Sequence, residues 1–237
     1  MMTTFLKRLS VCLIIVSCIA CSETPPDFTL KGNIKGLKKG VVYLQRQGDS
    51  TLITIDSLEI KGSPDFVLQS ELKEPEVLFL KLFKNDGEEH IIPFFADKGV
   101  TEINTTLTNF RYDAKVIGSE QHKVLEEYIK LMDSYNDRNL EIIKQSFLAQ
   151  KAQDSMAIDS LNTRSDRLFR LKYFSTINFA KNNSDSEVAP YLALYEIPSA
   201  NSKYLDTIYN ALSDRIKDSK YGKKLSEVIE ERNASIQ

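Results

Sequence analysis

The distribution of glycine and proline divides this chain into two parts that must fold differently. Eight of the nine glycines lie between residues 32 and 118, whereas residues 119–189 contain neither glycine nor proline. Glycines at short intervals mark turns between strands, and a long stretch without these breakers permits long helices. We therefore expect an α+β protein in which an antiparallel β-sandwich-like domain precedes an all-helical C-terminal region.

Runs of β-branched and aromatic residues between the glycines predict eight short strands in a β domain that covers residues 27–118. The predicted strands are 28–34, 41–47, 52–60, 66–71, 76–83, 90–95, 100–107 and 112–117. The sequence Asn85-Asp86-Gly87 predicts a hairpin turn, because this residue pattern tolerates the backbone angles that such a turn requires.

Apolar residues at helical spacing predict the helices of the second region, residues 119–237. Ser119 is the expected N-cap of a first long helix, and the polar segment 150–159 is the expected turn before a second one. The apolar stripes of these two helices are Val124, Leu125, Tyr128, Ile129 and Met132, and then Leu161, Leu168, Leu171, Phe174 and Ile177. Shorter helices are expected at 188–195, 204–216 and 225–231, with Pro198 and Gly222 as breaks between them.

The first 20 residues have the pattern of an export signal. Lys7 and Arg8 precede an apolar run from Leu9 to Ala20, which is shorter than the ~20 residues that a membrane-spanning helix needs. All three cysteines of the chain lie in or next to this run, at Cys12, Cys18 and Cys21. The segment resembles a bacterial lipoprotein signal, in which cleavage precedes a cysteine that carries the lipid.

Two cleavage registers fit the lipoprotein pattern. Cys21 follows the small residue Ala20 and precedes the polar residue Ser22, and we predict lipidation there. The alternative is Cys18, which follows Ile15-Val16-Ser17 but precedes an apolar residue. In the first register, residues 1–20 are a signal peptide and residues 21–26 are a tether. The lipid then anchors the protein in the cell envelope, on the periplasmic or surface side of the outer membrane. No free thiol remains for redox chemistry.

Three segments carry a resemblance to a known family. They are Phe28-Thr29-Leu30-Lys31-Gly32-Asn33-Ile34, Gly40-Val41-Val42-Tyr43-Leu44 and Asp49-Ser50-Thr51-Leu52-Ile53-Thr54-Ile55-Asp56-Ser57. The sequence resembles an uncharacterised domain family of exported lipoproteins from one phylum of Gram-negative bacteria. In that family a helical segment, ending in a motif like Ser219 to Leu225, connects the β domain to a thioredoxin-like thiol-disulfide oxidoreductase domain. The resemblance covers roughly residues 28–225 and implies architecture and export, because the oxidoreductase domain and its paired cysteines have no counterpart here.

Charge and motifs favour neither nucleic-acid binding nor a cofactor site. The 31 basic residues are balanced by 33 acidic ones, so no basic field attracts nucleic acid. Neither His90 nor His122 has a second histidine at ligand spacing, and we predict no metal site, no cofactor and no catalytic residue. We interpret Glu88-Glu89-His90 as a solvated hairpin edge, His122 as a surface residue, and the lysine-containing segment 32–40 as a strand connection.

One modification motif remains. Asp-Ser or Asp-Thr followed by an apolar residue or threonine resembles the acceptor motif for protein O-glycosylation in the same bacterial phylum. Ser155 and Ser160 are the strongest candidates, because they fall in a polar segment that is expected to form a turn.

The sequence favours a non-catalytic binding or scaffolding module that is anchored to a membrane through its lipid and contacts an unidentified envelope protein or ligand. The first alternative is an envelope enzyme that acts on glycans through two carboxylates about 5 to 10 Å apart. The second is an accessory subunit of a thiol-disulfide oxidoreductase, which the family resemblance implies.

Overall fold

The computed structural model describes residues 26–48, 50–84 and 86–235, which form eight strands followed by six helices. The strands are β1 (Phe28–Lys35), β2 (Lys39–Gln47), β3 (Leu52–Lys61), β4 (Asp65–Ser70), β5 (Glu76–Phe83), β6 (His90–Ala96), β7 (Gly99–Thr106) and β8 (Lys115–Ile117). The helices are α1 (Glu120–Lys151), α2 (Ser155–Asn182), α3 (Val188–Tyr195), α4 (Ser202–Ala211), α5 (Asp214–Lys217) and α6 (Lys220–Ser235). The predicted α+β class, with strands first and helices second, is confirmed.

The strands form two four-stranded sheets, in the orders β4-β1-β7-β8 and β3-β2-β5-β6. All neighbouring strands are antiparallel except β1 and β7, which run parallel with Phe28 opposite Gly99. No hairpin joins β1 to β7, because five strands, which belong to both sheets, lie between them in the sequence. The direction of this pair is therefore set by how the chain crosses between sheets, which turn signals do not predict.

The apolar core of the β domain lies between the two sheets. Phe28 and Phe94 are fully buried in it, and their rings stack with centroids 6.3 Å apart. The core also contains Leu30, Ile34, Leu37, Val42, Leu44, Ile60, Phe66, Leu68, Leu72, Leu78, Leu80, Leu82, Ile92, Ala96, Ile103 and Phe110. Each fully buried side chain of this size contributes about 1.5–3 kcal/mol, so the sandwich has a substantial core of its own.

The outer face of β5 and β6 is buried as well, because the helical region packs against it. Val77 of β5 and Phe95 of β6 form one apolar cluster with residues of three helices, namely Tyr128 and Met132 of α1, Val188 and Leu192 of α3, and Tyr221 of α6. We call this cluster the junction. Burial on both faces explains why β5 reads as a nearly continuous apolar run rather than an alternating one.

The two long helices form an antiparallel hairpin. The Ser119 hydroxyl accepts a hydrogen bond from the His122 N–H at 2.9 Å, which confirms the predicted N-cap of α1. Near the junction, the hydroxyls of Tyr128 and Thr176 lie 3.0 Å apart and bridge α1 to α2. None of the helices within residues 120–235 is both long enough and apolar enough to cross a membrane.

Two helix boundaries differ from the prediction. The segment 204–216 forms two helices, because Leu212 and Ser213 adopt extended backbone angles between α4 and α5. The prediction that Gly222 separates two helices is wrong, because Gly222 lies inside α6. A Cβ at this position would lie 2.0 Å from the carbonyl oxygen of Ile216, so glycine here permits a close backbone approach.

Candidate functional site

A cleft of about 880 Å³ opens at one end of the β domain, where β2 begins and β3 and β5 end. Its lining combines four lysines with an apolar floor. The lysines are Lys38, Lys39, Lys61 and Lys84, the floor is formed by Val41, Ile60 and Phe83, and Gly40, Glu59 and Gly62 complete the lining. We call it the lysine cleft.

Strand register brings these residues together from distant parts of the sequence. Lys39 pairs with Lys61 across β2 and β3, and Val41 pairs with Phe83 across β2 and β5. The Gly62 N–H donates a hydrogen bond of 2.8 Å to the Lys38 carbonyl oxygen, which ties the two turns together. The interpretation of segment 32–40 as a strand connection is confirmed, and two of its three lysines line the cleft.

The cleft is positively charged. Its four lysines face one glutamate, Glu59, which gives a formal charge of +3 for the lining. Lys61 forms an ion pair with Glu59 at 2.7 Å, and Lys84 forms one with Asp86 at 3.1 Å. When Asp86 is counted beside Glu59, the formal charge at the cleft is +2, which corresponds to Lys38 and Lys39.

The floor of the cleft presents apolar surface to solvent. Phe83 is 49% exposed although it ends a strand whose other face lies in the core, and Val41 is partly exposed beside it. Ile60 also lines the cleft, but it is buried in the core of the β domain. A concave apolar surface with a few convergent polar groups is the usual form of a small-molecule site, and lysines at its rim select an anionic group.

A cluster of metal-binding residue types lies beside the cleft, on the β5–β6 hairpin. Ligand atoms of Asp86, Glu88 and His90 lie within 4.8 Å of one another. The His90 Nε2 is 3.1 Å from Asp86 Oδ2 and 3.9 Å from Glu88 Oε2. Asp86, Glu88 and His90 occupy alternate positions in the sequence, and this spacing was the signal that could have predicted the cluster. The search for a second histidine did not detect it.

The position of Lys84 favours an ion-pair network over a metal site in this cluster. Its ammonium lies 3.1 Å from the same Asp86 oxygen that faces His90, and a metal ion would have to displace it. Hydrogen bonds from His90 and Lys84 hold the pKa of Asp86 well below its usual range. We interpret the cluster as an ion-pair network that fixes the hairpin and places Lys84 at the cleft.

The prediction of a solvated hairpin edge holds for Glu88, whose side chain is 77% exposed, but not for His90. The His90 side chain is only 11% exposed and packs edge-on against Phe110 at 5.7 Å. Asn85 lies outside the described residues, and Gly87 has the positive φ of 81° that a tight turn requires.

The prediction that His122 lies at the surface is wrong. Its ring is buried, and Nδ1 accepts a hydrogen bond from the Phe95 N–H at 3.2 Å, which connects α1 to β6. Burial lowers the pKa of His122, while Glu126 and Asp97 act in the opposite direction. The sequence places His122 in the first turn of a helix, but it does not show that β6 covers this side of the turn.

We expect the free energy of unfolding to fall as the pH decreases below the ordinary histidine value of about 6.5. The folded state favours the neutral ring, because a protonated Nδ1 cannot accept from Phe95, whereas the unfolded chain takes up the proton freely. Denaturant unfolding at about pH 7 and pH 5 measures the loss. The variant His122→Asn keeps an acceptor that does not titrate, and should show less pH dependence than the wild type; an equal dependence in both would contradict this role.

The modification sites predicted from the sequence remain predictions. Cys12, Cys18 and Cys21 lie outside the described residues. Ser155 is the first residue of α2 and Ser160 lies further along it, and both are exposed. Only residues 152–154 separate the two long helices, because Asp154 caps α2 by accepting a hydrogen bond from the Ala157 N–H at 3.0 Å.

The glycan-hydrolysis alternative requires two carboxylates in one concave site. Five clefts among the described residues contain at most one carboxylate each. Glu59 lies in the lysine cleft, Glu89 in the cleft beside His90, and Glu141 in a groove of the helical hairpin. These clefts therefore give no specific support to paired-carboxylate chemistry.

Comparison with curated proteins and with solved structures found no match to this chain. A family model described as "Domain of unknown function (DUF4369)" matches residues 28–125. The match covers all eight strands and the first turn of α1, which includes every residue of the lysine cleft. The β domain of this chain is therefore similar to an uncharacterised domain family, and the match does not extend to the remaining helices.

Proposed function

We propose that this chain is a lipid-anchored protein of the cell envelope whose β domain binds an anionic amphiphilic ligand, without catalysis, in the lysine cleft. The observation that carries the proposal is the combination of an exposed apolar floor and a rim of four lysines in one cleft. The anchor rests on the sequence pattern around Cys21, with Cys18 as the alternative.

The two parts of the cleft select different parts of a ligand. An alkyl or aromatic group would cover Phe83 and Val41 and gain about 25 cal/mol for each Å² of apolar surface removed from water. A phosphate, sulfate or carboxylate would lie at the rim near Lys38 and Lys39, which have no carboxylate ion-pair partner among the residues that the structure describes. A ligand with both features binds better than either part alone.

The direction of β1 separates the cleft from the predicted anchor. The tether leads to Phe28, the first residue of β1, whereas the cleft begins at Lys38, just beyond the other end of that strand. An eight-residue strand spans about 26 Å. This separation favours a ligand that reaches the cleft from the aqueous phase over lipid of the membrane that holds the anchor.

The chain contains no tryptophan, which provides a direct assay of the proposal. The variant Phe83→Trp places a single fluorophore on the floor of the cleft. Octyl phosphate below its micelle concentration should shift the emission of this tryptophan with saturation. Octyl glucoside, which has the same chain without charge, and inorganic phosphate, which has the charge without the chain, should each bind at least tenfold more weakly.

Removing the rim charges should weaken binding without unfolding the domain. The double variant Lys38→Ala/Lys39→Ala should raise the Kd for octyl phosphate by about 30-fold, since a lysine beside an anionic surface contributes about 1 kcal/mol. The matched control is Lys31→Ala/Lys115→Ala, which removes two exposed lysines of the same domain outside the cleft. Equal affinity for octyl phosphate and octyl glucoside, or equal losses in both double variants, would refute the proposal.

A further inference from the structure

The helical hairpin extends beyond the part of it that packs against the rest of the protein. The junction includes Tyr128 and Met132 of α1, but the next buried cluster along the hairpin is made of α1 and α2 residues alone. That cluster contains Ile142, Ala149, Leu161 and Leu168. The sixteen residues from Asn136 to Lys151 continue α1 for about 24 Å, and the buried cluster that supports them among the described residues comes from α1 and α2.

One side of this distal hairpin is apolar and exposed. Leu140, Ile143 and Phe147 follow one another at spacings of three and four residues, which is the spacing of a helix-packing seam. They are 63%, 55% and 66% exposed, and Phe169 of α2 is 69% exposed. We call these four residues the distal stripe.

The four residues share one side of the hairpin. Phe169 lines a shallow groove with Asn136 and Asn139, and the Lys172 ammonium reaches Asn136 on that side at 3.2 Å. Leu140, Ile143 and Phe147 continue the side of α1 that carries Asn136, four, seven and eleven residues further along. The opposite side holds a different groove, in which Arg138, Arg164, Arg167 and Glu141 surround Leu171.

Charges beside the stripe are arranged with opposite signs at its two ends. Asp133 and Asp137 precede Leu140 on the same side of α1, whereas Lys151 follows Phe147, and all three are exposed. Lys144 lies near the middle of the stripe and forms an ion pair with Glu141 at 4.0 Å. When two copies of α1 pack antiparallel, the acidic end of each lies opposite the basic end of the other. A parallel arrangement would instead place like charges together, which opposes it.

The stripe is large enough for a specific interface between two copies. Four large side chains that are more than half exposed offer roughly 400 Å² of apolar surface in each copy. The flanking polar residues bring the contact toward the ~800 Å² per partner that stable protein interfaces bury. Two hairpins that join in this way complete a four-helix bundle, which is the usual means of covering a helical pair with an exposed apolar side.

We infer that the distal stripe is a homodimer interface in which the α1 helices of two copies pack antiparallel about a two-fold axis near Ile143. Leu140 of one copy then lies opposite Phe147 of the other, and Lys151 lies beside the partner's Asp133 and Asp137. This inference is independent of the lysine cleft, which lies in the β domain and shares no residue with the stripe.

Cysteine crosslinking tests the arrangement, because the chain has no cysteine after residue 21. The full chain carries Cys12→Ser, Cys18→Ser and Cys21→Ser, is solubilised in a mild detergent, and receives one new cysteine. Ile143→Cys should form a disulfide-linked dimer under mild oxidation, because it lies near the axis. Leu140→Cys and Phe147→Cys should each remain largely uncrosslinked alone, since about 10 Å along the axis separates the two copies of each residue, but should link when mixed.

Sedimentation of the full chain provides the second measurement. Phe147→Gln/Phe169→Gln should raise the dimer Kd more than tenfold, whereas Met156→Gln, which changes an 83% exposed residue near the tip of the hairpin and outside the stripe, should leave it unchanged. Asp133→Lys/Asp137→Lys should dissociate on its own and pair with Lys151→Asp on mixing. A chain that sediments as a monomer, a dimer insensitive to the stripe, or crosslinks of Leu140→Cys to itself would overturn the inference.

Discussion

Replacing Tyr221 with alanine is expected to lower the free energy of unfolding by about 4 kcal/mol or more. Truncation of a large buried aromatic costs about 3–5 kcal/mol, because a cavity remains. Tyr221 is 4% exposed, and its ring contacts the rings of Phe95, Tyr191 and Tyr195. Its hydroxyl also accepts a hydrogen bond from the buried Val77 N–H at 2.9 Å, and the loss of this acceptor leaves a backbone donor unpaired.

Two variants separate these contributions in urea unfolding followed by circular dichroism. Tyr221→Phe keeps the packing and removes only the acceptor, so a loss of about 1–3 kcal/mol is expected. Tyr112→Ala changes a tyrosine that is 91% exposed and should alter stability by less than about 0.5 kcal/mol. If Tyr221→Ala were no more damaging than Tyr112→Ala, the junction would contribute little to holding the helices on the sheet.

The Cys21→Ala substitution is expected to abolish incorporation of a labelled fatty acid into the protein. The proposed anchor attaches acyl chains to the Cys21 sulfur, and each buried CH₂ group contributes about 0.8 kcal/mol to membrane binding. Alanine provides no sulfur for this bond. Metabolic labelling followed by immunoprecipitation measures the result, and the unprocessed variant should migrate more slowly because its signal peptide is retained.

Cys18→Ala is the matched control and should be labelled like the wild type. Label that persists in Cys21→Ala and disappears in Cys18→Ala would move the anchor to Cys18, the alternative register. Label that persists in both single variants would contradict exclusive lipidation of either cysteine.

The elements of the fold were largely predictable, because each depends on local sequence. All eight predicted strands are present, and the helix predicted at 188–195 has the observed bounds Val188–Tyr195. Turn glycines, the Ser119 cap and apolar spacing act over a few residues, within the reach of a single segment. Gly222 shows where this reasoning fails. This glycine permits the close approach of the Ile216 carbonyl oxygen and does not end a helix.

The candidate site was only partly predictable. The sequence drew attention to Lys38 and Lys39, but their partners Lys61 and Lys84 lie more than 20 positions away and reach the cleft through strand register. The sequence predicted the apolar stripe of α1 that packs into the junction, which includes Tyr128 and Met132. The exposed stripe from Leu140 to Phe147 has the same periodicity, so spacing alone does not distinguish a buried seam from a free one.

The sequence by itself determined the division into a strand region and a helix region, because glycine and proline act on the backbone locally. Tertiary structure alone decided that His122 is buried beneath β6, that β1 and β7 run parallel, and that four lysines converge on one apolar floor. Each of these depends on which surfaces meet when sheets and helices pack. The packing of sheets and helices depends on how much apolar area the whole chain removes from water. A short segment of sequence does not carry this information.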